Sequence, residues 1–100
     1  MKRIVVLDEA AREELKEAVA WYERERPNLG VDLADRVRAV IARIADGDTG
    51  SVHPTVTGVR RMFTQRFPYV VVFVVDDTRA TVLAVSHTAR HPTYWRARVP

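Results

Sequence analysis

Hydrophobic positions fall into distinct groups along the chain, and their spacing changes from group to group. Ile4-Val5-Val6-Leu7 is an unbroken apolar run, β-branched at three of its four positions, which predicts a strand buried on both faces. Asp8 follows as an N-cap, with Glu9 in the first turn to meet the positive end of a helix. From Glu9 to about Arg26, Ala11, Leu15, Ala18 (or Val19) and Tyr22 recur at helical spacing between charged residues, so one face is apolar. Pro27-Asn28-Leu29-Gly30 breaks this helix, because proline cannot continue it and disfavours helical geometry at Arg26. A second stripe, Leu33, Val37, Val40, Ile41 and Ile44, predicts a helix from about Val31 to Ala45. The two helices read as an antiparallel hairpin. After a polar loop, "DGDTGSVHPTVTG", the period shortens. "VRRMFTQRF" partly alternates, "YVVVFVV" reads as a central strand covered on both faces, and "ATVLAVS" returns after an Asp76-Asp77 turn. These three form a β-meander, followed by a short helix from Pro92 to Arg98 or an extended tail.

The predicted order, β-α-α-β-β-β, is a small α+β domain spanning residues 1–100, with the hairpin on one face of a mainly antiparallel sheet. One hundred residues suffice for one self-sufficient core. No stretch approaches the roughly 18 apolar residues of a membrane span. The apolar run near the N-terminus is shorter than the about 7–15 residues of a signal peptide, so no membrane association and a cytoplasmic location are expected.

Charge is divided unevenly. Residues 1–50 carry nine basic and eleven acidic side chains, whereas residues 51–100 carry seven basic and two acidic. Either the basic half meets an anionic partner or the acidic half masks it within the fold. Cysteine is absent, which removes disulfides and thiol chemistry. Three histidines are too few for a metal site, and the glycines fit no phosphate-binding loop, so neither metal nor cofactor is expected.

Arg60, Arg61 and Arg66 lie on the strand opening the meander, and His87 and Arg90 lie where it closes. They are expected to converge on the sheet face left uncovered by the helices. Such a cluster suits phosphate binding or RNA cleavage, in which guanidiniums stabilise extra charge while a histidine or tyrosine moves protons. The plainer reading is that an uncovered face must be polar, and arginine makes it so. In the tail, Trp95 is expected to anchor the segment to the core, with Val99 beside it. Tyr94 is open between anchoring and base stacking. Arg90 and Arg98 are expected to be solvated and to matter little for stability.

"WYERERPNLG", "GVRRMFTQRFPYVVVFVV" and "AVSHTARHPTYWRAR" resemble the RelE/ParE toxin superfamily of bacterial toxin–antitoxin pairs, along essentially the whole chain. The Arg66-Phe67-Pro68-Tyr69 word and the pattern His87, Arg90, Pro92, Tyr94-Trp95, Arg98 are similar to the ParE-type branch. The resemblance implies a toxin held inactive by a cognate antitoxin in a hetero-oligomer. ParE-type toxins act on DNA gyrase, by binding and without covalent chemistry of their own. RelE-type toxins instead cut mRNA on the ribosome as metal-independent endoribonucleases, and a third possibility is a degenerate member that only binds its antitoxin. The target- or partner-binding candidates are Arg60, Arg61, Arg66, Tyr69, His87, Arg90, Tyr94 and Arg98. Arg61, His87 and Tyr94 are the catalytic candidates if the chain is a nuclease. It has no lysine after Lys16, which weakens that alternative.

Overall fold

The computed structural model describes residues 2–100. Strand β1 (Ile4–Leu7) leads into helix α1 (Glu9–Glu25), and α2 (Leu29–Ala45) returns antiparallel to it. Strands β2 (Ser51–Val52), β3 (Arg60–Phe63), β4 (Tyr69–Val75) and β5 (Arg79–His87) follow, and one 3-10 turn, Arg96–Arg98, ends the chain. The sheet order is β1-β5-β4-β3-β2. Only the β1–β5 pair is parallel.

Local chemistry sets the element ends. Asp8 caps α1 by accepting the Ala10 amide at 2.9 Å. The break at Pro27-Asn28 is shorter than the sequence predicts, and α2 begins at Leu29. Asn28 sits in the left-handed region at φ 72° and makes no side-chain cap. Glu23 takes over that role from the preceding helix, accepting the amides of Asn28, Gly30 and Val31. These bonds, Asn28's foremost, hold its carboxyl below the usual carboxylate range against the opposing effect of desolvation. Gly30 lies where the helices touch, since a Cβ there would stand 2.3 Å from the Val19 carbonyl oxygen.

Both helical stripes face one side of the sheet. Ala11, Ala18, Leu33, Val37, Val40 and Ile44 pack onto Met62, Val71, Phe73, Val82 and Val85, with Leu15, Val19, Tyr22 and Ile41 at the margin. The opposite face is not uncovered, contrary to expectation. Val72, Leu83 and Ala84 are apolar there and must be shielded, and Val56, Val59 and Trp95 cover them as a second, smaller core. The polar loop therefore has a structural task, and it includes the two-residue strand β2.

Two further expectations are corrected. β1 is an edge strand with alternating burial, so Ile4 is 64% exposed, because the tail does not reach over it. The tail is a chain of turns closing in the 3-10 turn, with no helix starting at Pro92.

Candidate functional site

Along β3 successive side chains alternate faces, and pairing with β4 fixes which goes where. Met62, opposite Val71, belongs to the helix-side core, and Arg60, opposite Phe73, shares its side. Arg61 and Phe63, opposite Val72 and Val70, turn to the tail side. There Arg61, His87 and Arg90 line one cleft of about 220 Å³, floored by Val72 and Trp95 and flanked by His53 and Phe63. The Arg61 guanidinium lies 5.4 Å from the centre of the Phe63 ring, and its Nε is buried with no hydrogen-bond partner.

The other expected members of the cluster lie elsewhere. Arg60 donates to the Thr49 carbonyl at 3.2 Å. Arg66, at φ 69° in the β3–β4 turn, reaches Asp32 at 3.5 Å on the helical side. Tyr69 packs edge-on against Tyr22 and His87, and burial pushes its hydroxyl pKa up.

Tyr94 and Arg98 meet instead at Glu14, which was not among the expected site residues. Glu14 stands on α1 with its side chain only 13% exposed. Its Oε2 accepts from the Tyr94 hydroxyl at 2.6 Å, Arg98 Nη2 at 3.2 Å and Arg90 Nη1 at 3.3 Å. Its Oε1 accepts from Arg98 Nη1 at 3.0 Å and from the Val85 amide at 3.1 Å. The cause lies in the sheet. β1 ends its pairing at Val82, and a register shift follows near Leu83, so the outer edge of β5 is left without a strand. Glu14 takes the Val85 amide, Arg98 donates to the Leu83 carbonyl at 2.9 Å, and the two charges neutralise each other. Arg98 is thus a structural ion-pair partner, 23% exposed, and the expectation of a solvated side chain is overturned. The Tyr94 ring lies between two guanidiniums, Arg90 at 3.6 Å and Arg98 at 5.2 Å from its centre. Burial first, and then the Glu14 carboxylate, push its hydroxyl pKa up. Arg90 alone belongs to both places. Glu14 was legible in one respect, standing three residues after Ala11 and four before Ala18, a carboxylate on the inward stripe.

The three histidines serve the backbone. Nδ1 of His53, His87 and His91 accepts the amide two residues on, from Thr55, Ala89 and Thr93. His53 also packs edge-on against Trp95, and burial, followed by the Arg61 charge, lowers its pKa while the Pro92 carbonyl opposes. Among the described residues, no three histidine or carboxylate side chains are grouped to hold a metal ion.

The solved structure described as "Chromosomal ParDE TA system from P. aeruginosa" superposes with a TM-score of 0.74, covering 86% of this chain and 96% of that one. At 17% identity this likeness concerns the fold. The family described as "ParE toxin of type II toxin-antitoxin system, parDE" matches residues 5–92, and the chain belongs to that family. No curated protein matches it in sequence.

Proposed function

We propose that residues 1–100 form one toxin domain that acts in the cytoplasm, inhibits DNA gyrase by binding it, and is neutralised by a cognate antitoxin. Family membership supports the toxin and its partner. The observation favouring binding over RNA cleavage is the separation of the three nuclease candidates. Cleavage needs a cation on the phosphate and proton-transfer groups that reach the same phosphodiester. Arg61 and His87 line the cleft, but the Tyr94 hydroxyl is committed to Glu14. A hydroxyl with a raised pKa is also a poor base at neutral pH. The pairing of Arg61 with His87 keeps the metal-independent endoribonuclease as the alternative.

Expression without the antitoxin tests the choice. Growth arrest with DNA damage and loss of negative supercoiling supports gyrase. Arrest with intact supercoiling and shortened transcripts supports the nuclease, and unimpaired growth supports a chain that only binds its antitoxin.

A further inference from the structure

We propose that the Arg61 cleft is a carboxylate-binding pocket that receives one acidic side chain, with an apolar neighbour, from an extended segment of the antitoxin. The inference rests on the proposed toxin–antitoxin pairing and adds the surface and the chemistry by which it is made.

Arg61 carries the argument. Its guanidinium belongs to no ion pair among the described residues, and its Nε is enclosed without a hydrogen-bond partner, a costly state for a charged donor, so the group is left to be completed from the cleft side. Among the described residues, no carboxylate lines the cleft. The guanidinium fork fits a carboxylate, which accepts two parallel N–H bonds. The walls suit the rest of a peptide. Val70, Val72 and Trp95 are apolar, and Phe63 stands 53% exposed at the rim.

The distribution of the other cations decides between a peptide and a nucleic acid. A polyanion is held by a track of cations, one for each phosphate neutralised. Here the track is missing: Arg60 is turned to the opposite face, Arg66 reaches Asp32, and Arg98 pairs with Glu14. What remains is Arg61 with part of Arg90, enough for a single carboxylate. The route in is also suited to a polypeptide. β2 pairs with β3 only at Arg60 and Arg61, so no strand covers the edge at Met62 and Phe63. Phe63 also borders a second groove on the helical side, which Arg36 and Arg43 line. An acidic segment passing around this edge meets Arg61 on one side, Arg36 on the other and the Phe63 ring between them, while Arg43 is held by Asp48.

The test is binding of the antitoxin produced from the same operon, measured by calorimetry for the wild type, Arg61→Gln and Arg66→Gln. Both substitutions remove one charge, but only the first touches the cleft. Loss of one partner of a desolvated charge pair should weaken binding at least about tenfold in Arg61→Gln, with Arg66→Gln within about twofold. Equal losses in both would assign the effect to long-range charge and overturn the pocket, as would no loss in either. An unchanged antitoxin affinity with lost binding of a single-stranded RNA oligonucleotide would overturn it in favour of a nucleic acid. Should Arg61→Gln fail to fold, the wild-type Arg61 Nη–H resonances decide: on complex formation they should move downfield and exchange slowly, and unmoved resonances refute the proposal. A wild-type chain that binds no antitoxin is a failure of the functional reading itself, a separate result from a wild type that binds and an Arg61 variant that binds equally well.

Discussion

Glu14, Trp95 and His53 show how single side chains hold the tail to the sheet. Removing the Glu14 carboxylate leaves the Val85 amide, the Tyr94 hydroxyl and the Arg98 guanidinium without their shared acceptor. Glu14→Ala should therefore destabilise by about 2–4 kcal/mol, read by thermal or urea melting. Arg98→Ala should also destabilise, since its guanidinium bridges Glu14 and the Leu83 carbonyl; wild-type melting in that variant would show the contact to be dispensable. Trp95 is 1% exposed, so Trp95→Ala should lose about 3–5 kcal/mol, and toxicity should fall in step with stability. His53 gives a pH signature. Its folded pKa lies below the unfolded value of 6.5, so the unfolded chain takes up the proton first as pH falls. Its contribution is complete above that value and declines as pH drops towards the folded one. Melting temperatures measured between about pH 7 and pH 5 should fall with acidification, and His53→Asn should flatten that slope. The split between Arg60 and Arg61 was recoverable from sequence, because assigning Met62 to the core puts Arg60 on the same side and Arg61 on the other. The left-handed turn at Arg66 carried no such signal.

At the scale of elements, the helices were readable because their stripes repeat at helical spacing, and the same residues form the main core. The central strand was readable as a continuous apolar run. Its implication of cover on both faces argued against an open arginine face, and the second core bears that out. β2 was not readable, since two residues cannot show a period. The tail was not readable as turns because Pro92 and the four-residue spacing of Trp95 and Val99 suit a first helical turn as well as a chain of turns, and the His91 side chain that accepts the Thr93 amide favours the latter. The hairpin makes a prediction of its own. Glu23 has a lowered pKa from capping α2, so its contribution is present above the unfolded value of 4.5 and lost as pH falls through the folded one. Glu23→Gln should lower the melting temperature at pH 7 and reduce the acid sensitivity below about pH 4.5; an unchanged acid limb would remove Glu23 as its cause. Gly30→Ala forces a methyl against the Val19 carbonyl and should cost about 1–3 kcal/mol unless the helices move apart.

The whole molecule resolves its uneven charge partly within itself. Glu14, shared by Arg90 and Arg98, and Asp32, beside Arg66, bring two negative charges from the acidic half to three positive ones from the basic half. Among the described residues, Arg61 in the cleft keeps its charge without a carboxylate beside it, and the net charge of the chain is +3. Association with an acidic antitoxin should accordingly slow by roughly an order of magnitude between about 0.05 and 0.5 M salt. A salt-insensitive rate would leave apolar burial as the main cause of binding. Inhibition of DNA gyrase is read most directly in a reaction of purified components. DNA gyrase, relaxed plasmid and ATP are incubated with the purified chain, and supercoiling is followed on a gel, with and without the antitoxin. The chain should block supercoiling, and the antitoxin should restore it. Full gyrase activity in the presence of a folded chain that still arrests growth would contradict it.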